Sequence, residues 1–127
     1  MGAAVQQKAG QNGETPLHTA SRIKNGVACV EMLVKSGAQI NAVEAQGETP
    51  LHFSSREGLV ESVNLLLEDR ANPGMQNANG ENALHVAVKE SHFPIAKRII
   101  EYMTEHYDKK KSSELVNQRN KVRSISL

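Results

Sequence analysis

Tryptophan is absent from this chain, and Phe and Tyr together make up only 3% of its 127 residues. A core without large rings must be filled by Leu, Val, Ile, Ala and Met, which favours packed helices over an aromatic-rich β-sandwich. Cysteine is nearly absent as well: Cys29 stands alone, so no internal disulfide is possible, and the composition fits the cytosol or the cytosolic side of a membrane. Charge of one sign does not dominate either. A formal net charge of +1 is too small for nucleic-acid binding through bulk charge. No apolar run approaches the roughly 20 residues that span a bilayer, and the first thirteen residues show no hydrophobic stretch of the kind found in a leader. The length suits one compact unit.

What the chain has is a period. Gly13-Glu14-Thr15-Pro16-Leu17-His18 returns 34 residues on as Gly47-Glu48-Thr49-Pro50-Leu51-His52, and after a further 33 as Gly80-Glu81-Asn82-Ala83-Leu84-His85. The segments beginning at Val30, Val63 and Ala96 keep a spacing of 33, which places the one extra residue of the first unit between Arg22 and Gly26. Thr15, Thr49 and Asn82 are suited to cap a helix, and Pro16 and Pro50 to open one. Second helices are expected from near Ala28, Val60 and Pro94, with Gly37 supplying a left-handed stop. Asn12-Gly13, Gln46-Gly47 and Asn79-Gly80 mark turns. Each unit is therefore a turn and two short helices, and the fold class is all-α. A fixed period of this length is the signature of a repeat architecture.

The Gly-x-Thr-Pro-Leu-His block, small residues after it, Val-x-x-Leu-Leu and the Gly-Ala-x-x-Asn segment resemble the ankyrin repeat over roughly residues 11–120. The resemblance implies a solenoid whose hairpin fingers and first helices form a concave, partner-binding face. The expected organisation is 1–10 as the tail of a preceding repeat or a leader, 11–44, 45–77 and 78–119 as three repeats, the last with a lengthened second helix, and 120–127 as a basic tail. Ser21 to Cys29, Met32 to Ala38, Leu66 to Asp69 before Pro73, and the long third repeat also resemble the cytoplasmic ankyrin array of N-type transient receptor potential mechanosensory channels. In that family the array is a spring-like tether, which implies a non-catalytic, cytoplasmic spacer and interaction module. A small stand-alone adaptor, or the regulatory segment of a larger enzyme, is the alternative. Near residue 120 a fourth motif would be due, and Lys121 to Leu127 stands instead.

Candidate partner-binding residues flank the repeated block: Arg22, Lys24, Gln46, Glu48, Arg56, Glu57, Asn79, Glu81, Lys89 and Glu90. Because they sit at variable positions, exchanging them is expected to leave the stack intact, even for reversal of Arg56 and Lys89 to Glu. The motif residues Thr15, Pro16, Leu17, His18, Thr49, Pro50, Leu51, His52, Asn82, Leu84 and His85 are assigned to structure. The resemblance implies that each of the three histidines ties its own repeat together and to the next. Helices about 8 to 10 Å apart keep those rings from sharing one zinc, which binds within about 2 Å. His92 and His106 lack partners at ligand spacing, and Cys29 is expected to be packed, with no neighbouring base to activate it. No catalytic residue, cofactor, metal or nucleic-acid partner is expected. Partners are other proteins and neighbouring repeats.

Some departures from the pattern carry expectations of their own. Arg70 fills the slot of Gly37, where a left-handed backbone costs a non-glycine residue about 1 kcal/mol, so a bent or loosened end is expected there. Lys109 to Lys111 is a solvated loop or helix end, or a site for acidic lipid or phosphorylation. Arg123 to Ser126 could serve a basophilic kinase, and Ile125 to Leu127 could serve as a terminal ligand. Treatment with EDTA is expected to leave the melting curve unchanged; a stoichiometric zinc, or a midpoint lowered by the chelator, would contradict the structural assignment of the histidines.

Overall fold

The computed structural model describes residues 12–119, so residues 1–11 and the tail after Arg119, on which the expectations for the ends fall, lie outside the described residues. Seven helices are present among the described residues: α1 (Pro16–Ser21), α2 (Val27–Lys35), α3 (Pro50–Glu57), α4 (Val60–Glu68), α5 (Ala83–Lys89), α6 (Phe93–His106) and α7 (Lys109–Val116). The first helices α1, α3 and α5 pack in one row and the second helices α2, α4 and α6 in another, each repeat closing across the rows. The extra residue lies in the loop between α1 and α2, as the period requires.

Each first helix begins the same way. The side chain of Thr15, Thr49 or Asn82 accepts from the backbone N–H three residues on, and the histidine there returns the bond through its ring, closing a capping box with His in the place usual for Glu or Gln. Proline opens α1 and α3, where its missing N–H leaves nothing unsatisfied. Helix ends repeat too. At α2 the Gly37 N–H bonds Val34 O and the Ala38 N–H bonds Leu33 O, the paired pattern of a left-handed terminus. Arg70 takes φ 71° and reproduces both bonds, to Leu67 O at 3.0 Å and from the Ala71 N–H to Leu66 O at 2.9 Å. The expected loosening at Arg70 is therefore corrected. The two backbone bonds and the buried Ala71 hold the turn closed despite the cost of the backbone conformation.

The core runs along the stack as columns of equivalent residues. Leu17 and Leu51 are fully enclosed between first helices, and Val30, Val63 and Ala96 between the rows. Leu66, Leu67, Ile95, Ile99 and Met103 complete it. Burying one such aliphatic side chain contributes about 1.5–3 kcal/mol. Cys29 breaks the column, since its equivalents Ser62 and Ile95 are buried whereas Cys29 is exposed. Its expected packing is corrected for a geometric reason: α4 and α6 each lie against the second helix before them, and among the described residues none precedes α2.

In the third repeat α6 runs to 14 residues against 9 for α2 and α4, as its continued apolar spacing predicts. The lysine run then forms the first turn of α7, capped by the Asp108 carboxylate on the Lys111 N–H at 2.7 Å. Leu115 buries beside Gly74 of the third finger.

Between first helices sit three hydroxyls of unequal standing. Ser54 Oγ donates to Ser21 O at 2.6 Å, while Ser21 Oγ and Ser55 Oγ are buried with no hydrogen-bond partner among the described residues. An unmade bond to a buried hydroxyl costs about 1–3 kcal/mol, and a made one contributes about 1 kcal/mol. Ser55→Ala is accordingly expected to stabilise the fold by about 1 kcal/mol, and Ser54→Ala to destabilise it by a similar amount; urea titration of the two variants checks the opposite signs.

Candidate partner-binding face

The fingers that precede the first helices are held to one another through the backbone. Ala45 N–H bonds Asn12 O at 2.7 Å, and Ala78 N–H bonds Gln46 O at 2.8 Å, the same link one repeat apart. Within a finger, the Glu44 carboxylate accepts from the Gln46 and Glu48 N–H groups, and Asn77 Oδ1 does so from Asn79 and Glu81. Gly47 takes φ 72° with the backbone of Asn77 and Ala78 3.4 Å from where a Cβ would stand. Only glycine fits that turn without strain.

Each histidine then joins its repeat to the next finger. Thr15 N–H donates to His18 Nδ1 at 3.1 Å, which leaves the proton on Nε2 to donate to Glu48 O at 2.8 Å. His52 repeats this between the Thr49 N–H and Glu81 O, and His85 between the Asn82 N–H and Gln118 O. Among the described residues no group of His, Cys, Asp or Glu is placed to hold a metal. The other two histidines also have packing roles: His92 Nε2 donates to Arg56 O at 3.0 Å over Gly58, and the His106 ring stacks on Tyr102.

On this frame an acid and a base, eight residues apart, pair in every repeat. Arg22 Nη1 donates to Glu14 at 2.8 Å, Arg56 donates through both terminal nitrogens to Glu48, and Lys89 Nζ donates to Glu81 at 3.2 Å. The acids lie inside. Asn77 Nδ2 reaches Glu48 at 2.9 Å and Glu81 at 3.2 Å, which links the second pair to the third. Arg22 also lies over the ring of Phe53, 5.5 Å from its centre, and Phe53 meets the His18 ring edge-on. Between Arg22 and Arg56 lies a recess of about 250 Å³ lined by Glu48, Phe53 and Glu57.

The candidate residues divide accordingly. Gln46, Glu57, Asn79, Lys89 and Glu90 are exposed, and Arg22 stands at the rim of the recess. Glu48 and Glu81 are buried, which corrects their assignment as freely exchangeable positions. For the same reason Arg56→Glu would set a carboxylate against the buried Glu48 and destabilise the fold well beyond the roughly 0.5 kcal/mol of an ordinary surface change. Lys24 does not join the row: it lines a different recess of about 420 Å³ with Ile23, Leu59, Val60 and Glu61. The extra residue of the first repeat lengthens this loop and carries Lys24 there. Sequence reasoning missed Glu14, Phe53 and Asn77. Glu14 was available from its register with Glu48 and Glu81, whereas Asn77 replaces the acid Glu44 and its bridging role has no sequence signal.

Burial shifts the titration of these groups. The His18 and His52 imidazoles are held below their ordinary value by burial, against the opposing pull of the Glu48 or Glu81 carbonyl and nearby carboxylates. Burial alone would raise the Glu48 carboxyl, but hydrogen bonds from Arg56 and Asn77 and the Arg56 charge bring it below its ordinary value. Glu81 is lowered in the same way by Asn77 and Lys89.

Two models of the family described as "Ankyrin repeats" match the chain, one of three copies over residues 2–77 and one of many copies over residues 57–100. ZDHHC13 of Danio rerio is 39% identical over 85 residues, 66% of this chain and 13% of the relative. A Caenorhabditis elegans homolog of transient receptor potential cation channel subfamily A member 1 is 37% identical over 73 residues, 58% of this chain and 6% of its own. The ARF GTPase-activating protein GIT2 of Mus musculus is 34% identical over 94 residues, 73% of this chain and 13% of its own. The chain thus spans less than a fifth of each of these relatives.

The pH dependence follows from the shifts. An unfolded histidine binds its proton more readily than buried His18 or His52, so this contribution to stability is complete above about pH 6.5 and is lost as pH falls below it. The lowered Glu48 and Glu81 add a second loss, from about pH 4.5 downward through their folded values. Urea midpoints across this range are expected to fall in two stages on acidification, and the double variant His18→Asn, His52→Asn to lose the upper stage. A midpoint that rises between pH 7 and pH 5 would contradict the assignment.

Proposed function

We propose, from the premise that the chain belongs to the ankyrin-repeat family, that it is a non-catalytic module that binds partner proteins along its fingers and first helices. The observation that carries this is the row of paired side chains fixed in register by the histidine ties, with Gln46 and Asn79 exposed at the finger turns. A rigid scaffold that repeats the same polar geometry offers a preorganised surface, and preorganisation lowers the entropy lost on binding. Relatives as different as a channel homolog and a GTPase-activating protein support interaction as the shared role.

The same module serves as a spacer in a longer array. Leu84, Val88 and Ile100 line an apolar recess of about 440 Å³ with Leu115 and Val116. Their equivalents Leu51, Ser55 and Leu67 are covered by the following repeat. A further repeat continuing the stack is the natural cover, because adjacent repeats bury each other's apolar faces. The likeness to the channel homolog, together with the resemblance carried by the first and third repeats, favours the cytoplasmic array of a mechanosensory channel as the parent. No helix among the described residues is long and apolar enough to cross a membrane. Six apolar spans encoded downstream in the parent reading frame would support the channel, and a catalytic domain in their place would refute it.

Photocrosslinking locates the face itself. A benzophenone side chain introduced at Gln46 or Asn79 of the parent protein is expected to form adducts with a partner protein in cells, and one at Glu68, on the other row of helices, is not. Adducts from Glu68 alone would place the interface on the second helices.

A further inference from the structure

We propose that the recess between Arg22 and Arg56 receives a carboxylate from an extended acidic segment of a partner protein, and that a second carboxylate three residues along reaches Lys89. This rests on the first-helix face being the interaction face and adds the chemistry of what it holds.

The order of charges in each pair is the first ground. In all three repeats the acid is the inner member, with side-chain exposures of 12%, 11% and 7% for Glu14, Glu48 and Glu81, and the base is the outer one, at 45%, 34% and 64% for Arg22, Arg56 and Lys89. Within each pair an approaching chain meets the cation first. Glu48 is also occupied by Arg56 and Asn77 together, so its charge is compensated from within.

The second ground is the recess. Its floor is the buried Phe53 ring, and Arg22 lies over that ring, which fixes the guanidinium and strips water from one of its faces. A guanidinium carries five N–H donors. Arg56 commits its two terminal nitrogens to Glu48 with one N–H each, and Arg22 commits one to Glu14, which leaves further donors of both residues for an acceptor between them. A volume of about 250 Å³ admits one acidic side chain with part of its backbone.

Register supplies the third ground. Neighbouring helices lie about 8 to 10 Å apart, and a chain extended as a polyproline II helix rises about 3.1 Å per residue with about three residues per turn, so three residues carry a peptide from one repeat to the next and return the side chain to the same face. Glu57, exposed in the wall of the recess, repels a carboxylate that does not lie between the two guanidiniums. Exposed Glu90 stands one residue beyond Lys89 and narrows the position there in the same way. The preferred segment therefore has acids at positions i and i+3.

The test uses the 127-residue chain and fluorescein-labelled decapeptides of Ser and Thr, with Asp at the fourth and seventh positions, Asp at the fourth and sixth, or Asn at the fourth and seventh. Anisotropy at low salt is expected to show the first peptide binding about fivefold or more tighter than the other two, which lack one and two of its charge-assisted contacts respectively. Arg22→Gln and Lys89→Gln are each expected to weaken it about threefold or more, since a net hydrogen bond of this kind is modest; each also takes a partner from an inner carboxylate, so binding is read well below the melting midpoint of each variant. Equal affinity for the Asn peptide, or no response to Arg22→Gln, would overturn the proposal. If crosslinks from Gln46 and Asn79 identify a partner while the Asp peptides show no preference, the face stands and its acidic ligand does not. If the Asp peptide binds but shifts amide resonances of α2, α4 and α6 only, both fall.

Discussion

A neutral imidazole has one donor and one acceptor, and in this chain both are spent on the backbone. The ring of His18, His52 or His85 accepts from the N–H that opens its own helix and donates to a carbonyl of the next finger. The two bonds share one rigid ring, so the start of a helix and the position of the following finger are not independent variables. Everything else in the stack follows from that coupling. The fingers hydrogen-bond one another because the imidazoles set their spacing, and the leucines of successive first helices meet because the capping boxes fix where each helix begins. Burial favours the neutral form of the His18 and His52 rings, which preserves the acceptor nitrogen that the arrangement needs.

The polar face is a second layer built upon the first. Glu48 and Glu81 are drawn inward by the same fingers whose carbonyls the histidines hold, and Arg56 and Lys89 fold back over them from the last turns of α3 and α5. Asn77 spans the two carboxylates, donating to both from one amide nitrogen. A buried carboxylate with no partner would be costly. Here each has two, so the face combines a structural inner shell with an outer shell of cations that are held in place and still reach solvent.

Most of the frame was legible in the sequence because it depends on local chemistry. Threonine or asparagine before a helix, proline at its first position and a period of 33 to 34 residues fix the helix starts without reference to the rest of the fold. The extra residue and the extended third repeat were legible for the same reason. What was not legible depends on neighbours. Glu48 resembles a variable surface residue until the finger is seen to turn it under Arg56. Cys29 has the pattern of a core position, yet its burial requires a preceding helix. Arg70 violates a local preference, and only the bonds of Ala71 and the fit of that side chain show why the violation is tolerated. Lys24 was misassigned because a single added residue moves a side chain from one edge of the repeat to another.

The reach of the histidine ties has a consequence for how such a chain acquires its structure. His18 and His52 bind carbonyls only 30 and 29 residues away in sequence. Contacts of this span have a low entropy of loop closure compared with strands paired across a whole domain. A chain emerging from the ribosome can therefore complete one repeat as soon as the finger of the next is exposed, with no requirement for its far end. Growth proceeds by units of about 33 residues, each templated on the last. Such a chain can gain or lose a whole unit during evolution and still fold by the same steps.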